Sequence, residues 1–363
     1  MRDFSKVKRV VVKVGTNLLS SKDGIDEGFV QSIADQVSSL VRSGKQVLLV
    51  SSGAIGMGAK ELGLKTAVKL MSMRQACASI GQPLLMTSYR KAFRKNSLKI
   101  AQILITRADL NNRRSYNSLR ASIATLLELG VVPIFNENDT ISTGIEGTAF
   151  IDNDRMSALV ASKVDAQVLI LLTDIDGFYT ADPKKDKDAR KIDELKKVGE
   201  GELGMAGGAG STFSTGGMKT KLVAAQIASN AGCDTVIAYG KEDNVLSRIL
   251  DGEDIGTLIR SSSPLSQRAR WILNNTHQGS IYVDDGARTA LLNHKSLLAI
   301  GISKVEGTWQ AGEVVQIVDS SNRSFAKAEV SMDSTRLQKC LLNPERGEII
   351  FRPEHIVFLD SQK

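Results

Sequence analysis

The sequence predicts an α/β protein: a large domain built on a mostly parallel sheet sandwiched by helices, followed by a small β-rich module. Three observations carry this. Over the first 250 residues, short β-branched runs alternate with helix-period patterns, as parallel strands joined by crossover helices require. From about residue 276 the texture changes to short alternating strands with glycines between them. A chain of 363 residues also exceeds one ordinary core and fits two domains. The expected division is residues 1–260 for the large domain, 261–275 as a linker, and 276–363 for the module.

Strands are expected at 8–14, 46–51, 99–105, 131–135, 167–173 and 235–239, each an apolar, β-rich run. Between the first two, Phe29, Ile33, Val37 and Leu40 recur at helical spacing, and Gly44 follows where a left-handed cap ends a helix. Ala76, Ile80 and Leu84, then Ala121, Thr125 and Leu129, and finally residues 218–231 predict further helices with those positions facing the core. In the module, strands are expected at 280–283, 312–318, 325–330 and 355–359, with Gly279, Gly286, Gly301, Gly307 and Gly347 as turn positions.

Hydrophobic residues at 42% and charged residues at 24% describe an ordinary folded protein. No apolar run reaches the roughly 18–20 residues of a membrane span, and the opening residues lead directly into a strand pattern, so a cytoplasmic protein is expected. Cys77, Cys233 and Cys340 are too scattered for a disulfide framework or a zinc site. The net charge of +7 raises the question of nucleic acid. From residue 276 onward, however, there are 10 Lys and Arg against 11 Asp and Glu, so the excess lies upstream. His277, His294 and His355 all lie in that last part. Chemistry upstream therefore proceeds without imidazole, which favours a nucleophile that is already ionised.

Polar clusters follow the predicted strands. The first strand runs into Lys13-Val14-Gly15-Thr16-Asn17, and the second into Ser51-Ser52-Gly53-Ala54-Ile55-Gly56-Met57-Gly58. Turns of this kind at strand ends suit anions, although isolated glycine clusters mostly just permit tight turns. The fourth strand leads to Asn136-Glu137-Asn138-Asp139-Thr140, and Ile151-Asp152-Asn153-Asp154-Arg155 precedes a helix expected from Met156. Asn and Asp serve caps and turns as readily as sites, but both clusters follow the edge that carries the glycine turns. The fifth strand ends in Thr173-Asp174, and the glycine-rich stretch 207–221 feeds a helix, with Lys219 and Lys221 in reach of phosphate oxygens. No Walker A motif and no protein-kinase catalytic loop occurs.

Taken in order, VVVKVGTN, LLVSSGAI, PIFNENDT, FIDNDRMSALVA, LLTDIDGFYTADP and STGGMKTK resemble the amino acid kinase superfamily, and within it the glutamate 5-kinase line. The resemblance spans nearly the whole chain, because residues from about Gly279 to Asp360 are similar to a PUA module, a small β-barrel. One departure is Ser214-Thr215 where many relatives carry Gly-Thr.

The resemblance implies an ATP- and Mg2+-dependent kinase acting on the side-chain carboxylate of L-glutamate, at the head of proline biosynthesis. By motif, Lys13, Lys221 and Asp154 would be catalytic. ATP would be held by Lys13, Gly15, Thr16, Thr173, Asp174, Thr215, Gly216, Gly217, Met218, Lys219, Thr220 and Lys221, and the substrate by Ser52, Gly53, Asp139 and Asn153. No magnesium ligand is assigned. A dimer or tetramer is implied, as is feedback inhibition by proline, for which the segment 140–150 is a candidate region. The competing readings are a sibling kinase acting on aspartate or N-acetylglutamate, and an RNA-binding protein with a degenerate kinase domain. The near-neutral module disfavours RNA.

Overall fold

The computed structural model describes residues 2–21, 24–64, 66, 68–142, 152–183, 185–206, 217–262, 264–342 and 349–359. Two compact units divide after Pro264.

In the first unit the described elements run β1 (Arg9–Val14), α1 (Glu27–Arg42), β2 (Gln46–Val50), α2 (Ala54–Glu61), α3 (Met71–Lys95), β3 (Ile100–Ile105), α4 (Arg113–Glu128), β4 (Val132–Glu137), α5 (Asn153–Lys163), β5 (Val168–Thr173), β6 (Glu194–Leu195), α6 (Met218–Ser229), β7 (Asp234–Tyr239), α7 (Val245–Leu250) and β8 (Thr257–Ile259). The eight strands form one sheet in the order β6-β8-β7-β5-β1-β2-β4-β3. Every pairing is parallel except β7 with β8. All six strands expected in this part are present, and the carboxyl ends of β1, β2, β4 and β5 share one edge.

Strand alternation decides which side chains meet which helices. On β1, Val10, Val12 and Val14 join the core under α1, α3 and α7, whereas Val11 faces the opposite core under α4, α5 and α6. Lys13 is two residues beyond Val11, so it is delivered to the α5 and α6 side. Those two helices approach closely because their facing residues are small, including Ala158 and Ala161 on one and Ala224, Ala225 and Ala228 on the other, all buried.

Two expectations about helix faces need correction. On α3 the buried face is Cys77, Ala78, Gly81, Gln82, Leu85, Met86, Tyr89, Ala92 and Phe93, while Ala76 is exposed and Ile80 and Leu84 are only partly covered. On α4 the buried residue is Ile123, flanked by partly buried Leu119 and Leu127, while Ala121 and Thr125 are exposed and Leu129 lies 70% exposed beyond the helix. Both stripes lie a position or two from where the hydrophobic pattern puts them. In α3 the closest contact is made by glycine, which a hydrophobic pattern does not register.

A Cβ on Gly81 would overlap the Ala54 carbonyl oxygen, and one on Gly58 would overlap that of Cys77. Helices α2 and α3 thus touch backbone to backbone. Of the glycines following β2, only Gly53 turns the chain, with φ +102 at the N-cap of α2, whereas Gly56 and Gly58 are helical.

The second unit contains α8 (Gln267–Asn274), β9 (Gly279–Val283), α9 (Asp285–Leu292), β10 (Ile302–Gly307), β11 (Val314–Val318), β12 (Ser324–Glu329), α10 (Ser334–Leu342) and β13 (Ile356–Phe358). Its five-stranded sheet is ordered β10-β9-β11-β12-β13. Buried Trp309, Phe325 and Phe351 anchor its core, with the Trp309 indole N–H donating to the Met332 carbonyl at 3.2 Å. The four expected strands are joined by β10, a short antiparallel pair at Leu297–Leu298 and Ile349–Phe351, and two helices that the pattern did not reveal. Residues 267–274, expected within a linker, form α8, whose Trp271 and Ile272 pack on Val314. Gly347 lies outside the described residues.

The α2–α3 contact generates a prediction. Gly81→Ala should lower stability by roughly 1–3 kcal/mol or more through overpacking, whereas Gly56→Ala, with open space around its added methyl, should be neutral or gain up to roughly 1 kcal/mol from reduced backbone entropy. Urea melts check both. Equal stability changes would show that the two helices separate freely.

Candidate active site

At the shared strand edge the chain places an acidic side chain between two lysines. Asp154 sits in the first turn of α5 and is 1% exposed. Its Oδ1 lies 2.7 Å from Lys13 Nζ at the end of β1, and its Oδ2 lies 3.2 Å from Lys221 Nζ in the first turn of α6. The Thr220 hydroxyl donates to the same Oδ2 at 2.8 Å. Burial alone would raise this carboxyl's pKa, but the two ammonium groups outweigh it and hold it well below its ordinary value. Three charges sum to one net positive charge.

The helix expected from Met156 begins three residues earlier, because the Asp152 carboxylate caps it by accepting from the Arg155 backbone N–H at 2.8 Å. Asn153 and Asp154 are therefore helical and fixed rather than on a loop. Burial raises the Asp152 pKa and the neighbouring Asp154 charge adds to that.

Beside the lysines lies a set of neutral polar groups. The Asn153 side-chain nitrogen donates to the Ser51 carbonyl at 2.9 Å and the Ser52 hydroxyl at 2.8 Å, and lies 3.1 Å from Asn136 Oδ1. Asn136 donates in turn to Gln82 Oε1 at 2.8 Å. The Ser51 hydroxyl is 3.0 Å from the Tyr89 hydroxyl, whose pKa burial pushes up to about 12. Beyond them, half-buried Asp139 has its pKa raised to about 6 by burial, with Arg74 acting in the opposite direction.

On the other side of Lys13, Gly15 donates its N–H to the Leu172 carbonyl at 3.2 Å. The Asn17 amide donates to Asp174 at 2.9 Å and so ties the one-turn helix Thr16–Leu19 after β1 to the segment after β5. Thr173 is buried, its hydroxyl 3.2 Å from Asp174. Thr16 and Gly217 are partly covered, Gly217 as the N-cap of α6 before Met218. Lys221 is buried whereas Lys219 is exposed. Thr215, Gly216 and residues 143–151 lie outside the described residues.

Several participants had no local sequence signal. Gln82 and Tyr89 lie in the middle of α3, far along the chain from any motif, and only the packing of α3 on the sheet brings them here. Asn136 lay within a noted cluster, but nothing in the order of residues separated it from its neighbours.

The ion pairs generate a prediction. Asp154→Asn keeps the shape but leaves two buried ammonium groups facing each other, so it should lose roughly 3–5 kcal/mol of stability. The carboxyl's pKa is depressed on folding, so its contribution is complete above its ordinary value of 3.8 and is lost only as pH falls towards the lower folded value. The stability gap between wild type and Asp154→Asn should therefore stay open from roughly pH 5 to 7 and narrow on the acid side only well below that. A gap that closes within that range in denaturant melts would contradict the ion-pair account.

Residues 8–239 match the amino acid kinase family, and residues 279–343 match the PUA domain. The glutamate 5-kinase of Methanosarcina barkeri is 43% identical over 346 residues, covering 93% of this chain and 90% of that protein. Its counterpart in a Geobacter species is 42% identical over 93% of this chain and 91% of that protein, and that of Pelobacter propionicus 38% identical over 98% and 99%. Among solved structures, a UMP kinase from Bacillus anthracis is similar with a TM-score of 0.51 at 19% identity, covering 71% of this chain and 98% of that chain, a likeness of fold.

Proposed function

The chain belongs to the amino acid kinase family, in its glutamate 5-kinase line, and we propose how its residues phosphorylate the side-chain carboxylate of L-glutamate with ATP. The product is L-glutamyl 5-phosphate, which opens proline biosynthesis. The observation that carries the mechanism is the clamp of Asp154 on Lys13 and Lys221.

A carboxylate is ionised at neutral pH, so no base is needed to create the nucleophile. Catalysis then reduces to aligning two anions and neutralising their repulsion. Lys13 and Lys221 meet the transferring phosphoryl group, and Asp154 holds their ammonium groups in place. Thr16 and Gly53 offer backbone N–H groups, whereas the Gly15 N–H is spent on the Leu172 carbonyl, and Thr173, Asp174 and residues 215–221 hold the nucleotide, Lys219 from the exposed side. Both Asp154 oxygens are already engaged, and among the described residues no group of three or more His, Cys, Asp or Glu side chains forms a metal cage. Magnesium, brought in with ATP, would supply further neutralising charge here. On the acceptor side, Ser52 and Asn153 orient the substrate and Asp139 takes its ammonium group.

The second unit, whose relatives share it across nearly their whole length, stands outside this chemistry. Aspartate, N-acetylglutamate and RNA are disfavoured as alternatives. No described helix is long and apolar enough to cross a membrane, and a cytoplasmic place of action suits both substrates. A dimer or tetramer and inhibition by proline belong to the same reading, testable by sedimentation and by adding proline to the assay below. A chain ending after Pro264 should retain phosphoryl transfer, and a folded but inactive truncation would overturn that division of labour.

Hydroxylamine trapping of the acyl phosphate tests the substrate. Glutamate should be preferred over N-acetylglutamate, whose blocked amine leaves Asp139 unpaired, and over aspartate, which is one methylene too short for alignment. Equal or faster hydroxamate formation from either would sink the assignment. The pH profile adds a check. A carboxyl whose pKa rises on folding holds its proton more tightly when folded, so ionising Asp139 costs stability as pH rises through about 6. An ammonium ion recovers that cost by binding the ionised form. kcat/KM for glutamate should therefore fall as pH drops below about 6, and this limb should vanish in Asp139→Asn.

A further inference from the structure

We propose that Gln82 of α3 is a positioning residue that holds the substrate-side amides of Asn136 and Asn153 in the orientation their backbone partners select. The proposal deepens the glutamate reading and rests on it.

An amide side chain fills almost the same space when turned end for end, but it exchanges a donor for an acceptor. Packing alone does not choose between the two, so hydrogen-bond partners must. The Asn153 nitrogen is within 3.1 Å of three oxygens: the Ser51 carbonyl, the Ser52 hydroxyl and Asn136 Oδ1. Turning Asn153 around would bring its oxygen against two oxygens that carry no hydrogen. Its orientation is therefore set as long as Asn136 presents an oxygen.

Asn136 does so because it is held at both ends. Its Oδ1 accepts the Glu137 backbone N–H at 3.0 Å, and its nitrogen donates to Gln82 Oε1 at 2.8 Å. Donation thus runs from Asn153 to Asn136 to Gln82. Asn136 is 3% exposed and Gln82 is 9% exposed, so water is a poor substitute for the last acceptor. Gln82 is itself held in place, because its neighbour Gly81 lies in backbone contact with Ala54 of α2. With the Asn153 nitrogen committed to protein oxygens, its carbonyl oxygen is the atom it can offer to a ligand. That acceptor suits the ammonium group of an amino acid.

Steady-state kinetics of the full chain tests this. Gln82→Met keeps the length and bulk but removes the acceptor, stranding a buried N–H on Asn136. The KM for glutamate should rise about tenfold, the scale set by one unmet buried donor. The KM for ATP should stay within about twofold, because the lysine clamp shares none of these bonds. Gln82→Glu retains an acceptor for Asn136 and should bring the glutamate KM back to within about threefold of wild type. If Gln82→Met does not fold, Gln82→Asn, which withdraws the acceptor by one methylene, should show the same split. An unchanged glutamate KM, a parallel loss for both substrates, or no rescue by Gln82→Glu would overturn the proposal. Asn153→Ala is assayed alongside. If it leaves the glutamate KM unaltered, the substrate-site reading itself fails. If it raises that KM while Gln82→Met does not, only the positioning role fails.

Discussion

The ion pairs of Asp154 with Lys13 and Lys221 are the constraint on which the rest of the site depends. Two ammonium groups would not remain side by side in a buried place without a shared counter-ion, and a lone carboxylate there would take up a proton. Together they form a small, permanently charged unit. Its geometry comes from three separate elements: alternation on β1 sends Lys13 to the α5 face, the Asp152 cap sets the start of α5 at Asn153, and small residues let α6 bring Lys221 close. Disturbing any one of these moves a charge.

That arrangement explains why a site without histidine suffices. The acceptor oxygen is already an anion, so what must be supplied is positive potential along the line of transfer, held rigid before the reaction begins. The carboxylate that clamps the two lysines is held far below its ordinary pKa and so stays ionised across the whole neutral range. Asp139, whose pKa burial raises to about 6, stands on the substrate side, where proton binding affects recognition rather than the phosphoryl group.

Much of this was legible in the sequence, for identifiable reasons. The strands were readable because buried parallel strands are continuous β-branched runs, as in Val10, Val11 and Val12 of β1. Lys13, Ser52, Asn153, Asp154 and Lys221 were readable because polar residues at strand ends and helix starts interrupt those runs. What escaped depended on contacts distant in the chain. The true inner face of α3 is set by Gly81 meeting Ala54, and a glycine adds nothing to a hydrophobic stripe. Gln82 and Tyr89 look like ordinary helix residues until α3 is laid against the sheet. The early start of α5 turned on Asp152 being a cap, a role that Asp and Asn fill as readily as they fill a site.

The two halves of the site use different means of fixing side chains, and the difference has a physical basis. On the phosphate side, charge must be concentrated, so ions are buried and neutralised only in part. On the acceptor side, further fixed charge would compete with the substrate's own ammonium and carboxylate groups for partners. There the chain uses neutral donors and acceptors: Ser51, Ser52, Asn136 and Asn153, backed by Gln82 and Tyr89. Neutral groups impose direction without imposing net charge, because each hydrogen bond specifies which end donates. A substrate carrying charges of both signs can then be oriented by direction, leaving attraction to Asp139 and to the lysines at its two ends. Helix α3 serves this half alone. Its glycine places the N-terminus of α2, and the adjoining glutamine ends the chain of amides, so a single helix face sets the floor of the acceptor site and secures its amides.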